Sequence, residues 1–309
     1  MIEKKAAFFL AHGKLLLTAE YFVLDGATAL AIPVKYGQSL TISKNINEPE
    51  LYWQSFDDKG GCWFEAIFQK DNFEVIKEND EAVAHRLQSI FKEIKKQNPQ
   101  LPTAHCQLRT DLTFPRNWGL GTSSTLIYLL AKWGGVDPFD LQFKIFGGSG
   151  YDIACAGADE PILYALKNGK PVFEKCQFNP VFSDQLFFIF LGKKQNSRTG
   201  IKLYAEKNKK IKGDLIMEIS ALTHLFTKEN NLNNFEKLIG EHENIISNYI
   251  GLEKAKDIYF KDYWGEIKSL GAWGGDFVMA TSNRPEKETQ AYFNEKGFDV
   301  FLPYKDMVL

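Results

Sequence analysis

The apolar positions of this chain change period along its length, and the changes mark out its elements. Ala6 to Ala11 and Leu15 to Thr18 are near-continuous apolar runs of the buried-strand type, and Tyr21-Phe22-Val23-Leu24 extends them to a turn at Asp25-Gly26. Ser39-Leu40-Thr41-Ile42-Ser43 alternates polar with apolar, the period of a half-buried strand. A region of strands rich in Trp and Phe therefore runs to about Phe73. Beyond it the period becomes helical. Val83, Leu87, Ile90, Phe91 and Ile94 share one stripe, Asp80 and Glu81 stand at its start, and Pro99 lies past its end. A short strand near Cys106 to Leu108 leads to Asn117-Trp118-Gly119-Leu120-Gly121-Thr122-Ser123-Ser124-Thr125, which opens an apolar helix ending near Trp133.

A turn at Gly134 to Pro138 and a brief helix at Phe139 to Phe146 precede a second glycine-rich stretch, Gly147-Gly148-Ser149-Gly150-Tyr151-Asp152-Ile153-Ala154. Gln185 to Leu191 reads as a continuous apolar strand, and the domain boundary is placed beside it, giving residues 1–182 and 183–309. Phe235, Leu238, Ile239, His242, Ile245, Ile246 and Tyr249 form a helical stripe closed by Gly251. A third glycine turn, Leu270-Gly271-Ala272-Trp273-Gly274-Gly275-Asp276, feeds a strand at Phe277 to Thr281. A helix from about Pro285 to Lys296 and a strand at Asp299 to Leu302 complete a β-α-β unit.

Composition narrows the classes of function. At 309 residues the chain accommodates two domains, and 44% hydrophobic with 25% charged residues is ordinary for a soluble globular protein. The net charge of −2 supplies no global field for nucleic acid. Cys62, Cys106, Cys155 and Cys176 form no C-x-x-C pair, which suits free thiols in a reducing cytoplasm. No apolar run approaches a membrane span, and the first eleven residues lack a signal-type apolar core. The expected location is cytoplasmic, with neither nucleic acid nor membrane as partner; a homodimer is compatible with this composition.

The glycine loop at 119–121 is the first candidate for chemistry. Two glycines let the backbone turn sharply and approach a ligand, and the helix start behind them presents N–H groups that suit a phosphate. Thr122, Ser123 and Ser124 add hydroxyls able to bind phosphate or magnesium. The stretch is neither a dinucleotide-binding fingerprint nor a P-loop, since Ser124 stands where a third glycine belongs and no G-x-x-x-x-G-K-[ST] occurs. A hydroxyl-capped loop is the plain alternative.

Four stretches together carry more. His12-Gly13-Lys14 through Asp25-Gly26 resembles the first motif of the GHMP small-molecule kinases. Gly119-Leu120-Gly121-Thr122-Ser123-Ser124 resembles their ATP-phosphate loop, Gly148 to Ala154 their aspartate-bearing motif, and Gly271 to Asp276 their third glycine-rich motif. The four occur in the family's order and span nearly the whole chain. The resemblance implies an α+β fold of two domains, one like ribosomal protein S5 domain 2 and one ferredoxin-like, with ATP and a small acceptor between them.

It also implies roles, residue by residue. Lys14 matches the active-site lysine and Asp152 the catalytic aspartate; Gly119, Leu120, Gly121, Thr122, Ser123, Ser124, Gly271, Gly274 and Gly275 would hold ATP, and Ser123 would also touch magnesium. Ser149 and Tyr151 fall on the acceptor side. Glu20 matches the family's acidic partner, and reads equally as half of a buried ion pair with a lysine. There are departures: His12 replaces a proline, Ala19 a glycine, Trp273 intrudes in the third motif, and Gln142 to Phe146 lacks the carboxylate that mevalonate kinases place there for magnesium.

Lys193 to Lys212 contains eight Lys or Arg against one acid, Glu206. Lys193, Ser197 and Arg198 are the residues best suited to hold an anionic acceptor, since a guanidinium meets carboxylate or phosphate with two parallel bonds. Trp118 and Trp273 are candidates for a base or substrate wall. The expected activity is ATP- and magnesium-dependent phosphoryl transfer to mevalonate or phosphomevalonate, in isoprenoid precursor synthesis. A diphosphomevalonate decarboxylase-like lyase and a non-catalytic, nucleotide- or metabolite-binding relative are the alternatives.

Overall fold

The computed structural model describes residues 7–44, 50–101, 103, 105–193, 204–205, 213–273 and 275–309. The chain divides into two compact units, each assembled from three segments. The first takes residues 1–13, 36–116 and 121–157, and the second takes 14–35, 117–120 and 158–309. The boundary expected at 182/183 thus falls inside the second unit, which also draws two stretches from the N-terminal half. The physical reason lies in β2 (Ala29–Lys44): its residues 36–44 serve the first unit, while its residues 29–31 pair with β7 (Ile162–Lys167) in the second.

In the first unit the sheet order is β5-β4-β3-β6-β2, with β3 (Leu51–Phe56), β4 (Cys62–Phe68), β5 (Val75–Glu78) and β6 (Cys106–Leu112). Neighbours run antiparallel except β3 and β6, which are parallel. Helix α1 (Glu81–Gln97) starts as its sequence predicts, with the Asp80 carboxylate accepting from the Val83 N–H at 3.1 Å. Its stripe is buried at Leu87, Ile90, Phe91 and Ile94. The Phe91 ring meets Phe68 at 5.3 Å, Phe73 at 5.4 Å and Trp53 at 5.8 Å between centroids. Each such buried ring contributes about 1.5–3 kcal/mol, so this helix is held mainly by its aromatic seat. Helix α2 (Thr122–Gly134) packs against α1, α3 (Pro138–Ile145) and α4 (Tyr151–Ala156).

In the second unit four strands form an antiparallel sheet of order β10-β11-β9-β12: β9 (Leu186–Phe190), β10 (Ile267–Ser269), β11 (Phe277–Thr281) and β12 (Phe301–Pro303). The helices of this unit include α5 (Gly213–Phe226), α6 (Leu232–Ile250), α7 (Ala255–Tyr259), α8 (Glu286–Glu295) and α9 (Tyr304–Met307). The expected β-α-β unit is present but split, because β9 lies between β11 and β12 and pairs with both. That is the strand order of a ferredoxin-like sheet. β9 is buried at every position, and Phe187 stacks on Phe301 of β12 at 4.7 Å.

Two local readings need correction. Tyr21 to Leu24 does not continue the strand: β1 ends at Leu16, and Phe22–Asp25 is a short 3₁₀ turn. Ala19 (φ 61°) and Tyr21 (φ 65°) adopt left-handed backbone that no strand can hold. The hairpin of β7 and β8 (Lys170–Lys175) was missing from the apolar pattern. Its signal is the dipeptide Asn168-Gly169, with φ 50° and 72°, the two-residue turn that matches strand twist. Among the described residues no helix is long and apolar enough to cross a membrane.

Candidate active site

In the second unit, Lys14 near the end of β1 (Ala7–Leu16) meets the glycine loop 105 residues later. Its backbone N–H donates to the Leu120 carbonyl at 2.9 Å, and its ammonium donates to the Gly119 carbonyl at 2.9 Å. Gly119 (φ 70°) leaves no room for a side chain, since a Cβ there would lie 2.3–2.5 Å from the carboxylate atoms of Asp276. Asp276 cannot easily withdraw. It is 9% exposed, its N–H donates to the Lys193 carbonyl at 2.6 Å, and its carbonyl accepts from the Leu191 N–H at 2.8 Å. The first and third motifs therefore close on the loop's first glycine from two sides. Gly119→Ala is expected to cost about 2 kcal/mol or more through left-handed strain and overlap with Asp276. Urea denaturation reads this directly, and an unchanged midpoint would show that the loop yields.

Trp118 sets its ring edge-on to Phe277 at 5.4 Å and near Phe190 at 6.4 Å, fixed against β11 and β9. Trp273 is 3% exposed, and a backbone hydrogen bond from it reaches the Tyr21 hydroxyl. The indole thus belongs to the interior of this unit and does not wall an open pocket.

In the first unit, Gly121 (φ 97°) caps α2 without a side-chain capping bond among the described residues. The first N–H groups of a 13-residue helix are thus left to other acceptors, the arrangement that suits a phosphate. The three hydroxyls divide their work. Ser124 is buried and donates to the Gly121 carbonyl at 2.8 Å, shaping the loop, whereas Ser123 is exposed and Thr122 half-buried. An exposed hydroxyl on the first turn is a donor set a magnesium ion bound to a nucleotide can use. Asp152 is half-buried on the first turn of α4, where its carboxylate accepts from the Ile153 N–H at 3.1 Å. Tyr151 beside it is half-buried and Ser149 is buried. Gln142, in the stretch that lacks a carboxylate, is buried and donates its amide to the Gly147 carbonyl at 3.0 Å, bracing the start of the aspartate-bearing turn.

Of the expected residues, the structure brings Lys14, Gly119 and Leu120 together in the second unit; in the first it sets Thr122–Ser124 on α2, Tyr151 and Asp152 on α4, and Ser149 in the loop just before α4. Gly271 is half-buried and Gly275 buried in the second. Lys193 is exposed, its ammonium 5.9 Å from the centre of the Tyr259 ring. Gly274, Ser197 and Arg198 lie outside the described residues.

Glu20 is fully buried, which favours the ion-pair alternative over contact with an acceptor. Its Oε1 pairs with the ammonium of Lys268, which also donates to Glu243 Oε1 at 3.0 Å and to the Ser269 carbonyl at 2.7 Å. The Ser269 hydroxyl donates to Glu243 Oε2 at 2.9 Å. Burial pushes the Glu20 carboxyl up to about 7, against the pull of Lys268. Burial, opposed by Lys268, also raises Glu243. Burial drags on the Lys268 ammonium, yet the two carboxylates leave it raised. His242 is held well below its ordinary range by burial and by Lys268. Sequence pattern had placed His242 in a core stripe and passed over Glu243 and Lys268. The available signal was a lysine inside the apolar run Ile267-Lys268-Ser269-Leu270.

Among the described residues, Glu20, His242 and Glu243 are the only three His, Cys, Asp or Glu side chains with ligand atoms within 4.8 Å of one another. They do not fit a metal ion, because the Lys268 ammonium already supplies the cation between the carboxylates. Ala19 has φ 61° and is fully buried. Ala19→Gly relieves about 1–2 kcal/mol of left-handed strain. It also loses about 0.8 kcal/mol for one buried methyl and about 0.4–1 kcal/mol through the unfolded chain. The expected urea midpoint is nearly that of the parent, and a loss above about 1.5 kcal/mol would mean the strain is absent.

No protein-family model matches the chain, and no curated protein matches it. Solved structures do. The chain is similar to the Methanococcus jannaschii mevalonate kinase at 16% identity and TM-score 0.69, over 94% of this chain and 96% of that one. It is similar to Streptococcus pneumoniae phosphomevalonate kinase in complex with phosphomevalonate and AMPPNP at 13% identity and TM-score 0.70, over 96% and 99%. Lactococcus lactis galactokinase complexed with galactose matches at 12% identity and TM-score 0.65, over 97% and 93%. The fold is that of these kinases along nearly the whole length of each.

Proposed function

We propose that this chain, which has the GHMP-kinase fold, is an ATP- and magnesium-dependent phosphotransferase acting on a small anionic acceptor, with mevalonate or phosphomevalonate as the first candidates. The observation that carries the reading is the Lys14 ammonium bonded to the carbonyl of Gly119, which joins the first motif to the phosphate loop across 105 residues. Phosphoryl transfer asks a protein chiefly to position two reactants and offset spreading negative charge. Lys14 supplies fixed positive charge beside the loop. The uncapped start of α2 offers N–H groups to phosphate oxygens, and the exposed Ser123 hydroxyl is available to a nucleotide-bound magnesium ion, which would further offset that charge. Asp152 would orient an acceptor hydroxyl and take its proton.

An acceptor that is itself a phosphate is already ionised near neutral pH and needs cations more than a base. The basic stretch that begins at Lys193 suits such an acceptor, and suits the carboxylate of mevalonate as well. The deciding experiment is a coupled ADP-release assay on the full chain across mevalonate, phosphomevalonate, diphosphomevalonate, homoserine and several sugars, with and without EDTA. Turnover with one acceptor, abolished by EDTA, is the expected result. Carbon dioxide release from diphosphomevalonate would identify a lyase, and nucleotide binding without turnover on any acceptor would overturn the reading.

A further inference from the structure

Ala19 and Tyr21 carry left-handed backbone on either side of the fully buried Glu20. A turn of that kind persists only where its surroundings hold it. From α6 it is held by one bond, the Ala19 N–H donating to His242 Nε2 at 2.9 Å. Accepting at Nε2 puts the proton of the neutral imidazole on Nδ1. Glu20 Oε2 stands 3.4 Å from the same nitrogen and has no hydrogen-bond partner among the described residues. Two acceptors therefore face each other across a gap that one proton would bridge.

The groups around this gap decide where a proton goes. Lys268 on β10 spends its three donors on Glu20 Oε1, Glu243 Oε1 and the Ser269 carbonyl, so none is left for Glu20 Oε2. Glu243 on α6 brings a second negative charge, and Tyr21 is the remaining titratable neighbour of Glu20. One ammonium against two buried carboxylates leaves the cluster a proton short of neutrality. Burial raises Glu20 to about 7 and keeps His242 neutral, so the carboxyl takes that proton first. Oε2 is the oxygen not engaged by Lys268.

We propose that Glu20 and His242 form a proton-operated latch on the turn behind Lys14. With Glu20 ionised, His242 Nε2 holds the Ala19 N–H. With a solvent proton on Oε2, the new O–H takes Nε2 as its acceptor and the Ala19 N–H is released. The turn follows β1 directly along the chain through Leu17, whose N–H donates to the carbonyl of Leu30 on β2 at 2.8 Å, and Thr18, whose hydroxyl accepts from the Leu30 N–H at 2.8 Å. Lys14 lies on β1, so Glu20 and His242 are positioning residues for it. This consequence for turnover rests on the phosphoryl-transfer reading; the latch itself does not.

The test uses the full-length, isotope-labelled protein and reads two quantities. Amide exchange at Ala19, corrected for its intrinsic pH dependence, is expected to be about tenfold less protected at pH 6 than at pH 8.5. Glu20→Gln, whose amide donates permanently toward Nε2, is expected to show low protection at both values. His242→Gln keeps an acceptor oxygen for the Ala19 N–H without the ring, and is expected to remain protected at both. Turnover of the parent protein should fall below neutral pH with a slope approaching tenfold per pH unit, and Glu20→Gln should flatten that step. Equal Ala19 protection at the two pH values in the parent protein would overturn the latch, as would an unchanged pH step in Glu20→Gln. Should Glu20→Gln fail to fold, exchange in the parent and in His242→Gln still decides. Should no acceptor support turnover, the kinetic arm fails with the phosphoryl-transfer reading while the exchange arm stands.

Discussion

Lys268→Met is expected to destabilise the protein by about 3–5 kcal/mol at pH 8, because it leaves two buried carboxylates without their counter-ion. Lys268, Glu20 and Glu243 are all essentially inaccessible to water, so solvent cannot take over the ammonium's part. The size of the loss should depend on pH in a definite direction. A carboxyl whose folded-state pKa stands above its unfolded value lowers stability as pH rises between the two, and the whole penalty is present above the higher one. Glu20 already behaves this way between its ordinary 4.5 and about 7. Removing the ammonium raises both carboxyls further, and a protonated pair needs no counter-charge. The loss should therefore shrink between pH 8 and pH 5.5, still far below the range in which Lys268 itself titrates. His242 loses the opposing charge of Lys268 in the variant, while burial, the larger cause of its lowered range, stays. Urea denaturation of parent and variant at the two pH values checks this, and equal losses would refute the charge account.

Asp152→Ala is expected to lower turnover by about 100-fold or more while nucleotide affinity changes little, the size of effect usual for a positioned base. The competing explanation is visible in the structure, where Asp152 accepts from the Ile153 N–H at the start of α4. If capping is its whole role, the substitution costs about 1 kcal/mol of stability and leaves turnover intact. Measuring kcat, nucleotide affinity and the urea midpoint on one preparation separates the two. Unchanged kcat with a lowered midpoint would remove Asp152 from the mechanism.

How much of this was legible in the chain depends on whether the signal was local. Helix α1 could be read from its stripe because Asp80, the apolar spacing and the residues after Gln97 all act within one element. The same holds for α6, whose stripe, Asn231 cap and Gly251 stop agree. The glycine loop could be read as a sharp turn ahead of a helix, and Gly119 (φ 70°) and Gly121 (φ 97°) stand at that turn before α2. The turn at Phe22–Asp25 was not legible, since an apolar run carries no record of the left-handed residues that break it. Nor was the cluster of Glu20, His242, Glu243 and Lys268, whose members are up to 248 residues apart and meet only after folding. Asp276 ends the third glycine-rich stretch, but its pressure on Gly119 depends on a contact between loops that spacing does not encode.

The interleaved path of the chain has a consequence for its synthesis. Everything described of the first unit has left the ribosome once residue 157 is out, whereas residues 14–35 belong to a unit that lacks its full four-stranded sheet until residue 303 is made. The early residue Phe22, whose ring meets Tyr204 and Tyr249, must therefore wait for those partners until α6 is made. Slowing elongation after codon 157 should lengthen that exposed interval and increase the demand for a holding chaperone, and no cut at a single peptide bond can yield both halves intact.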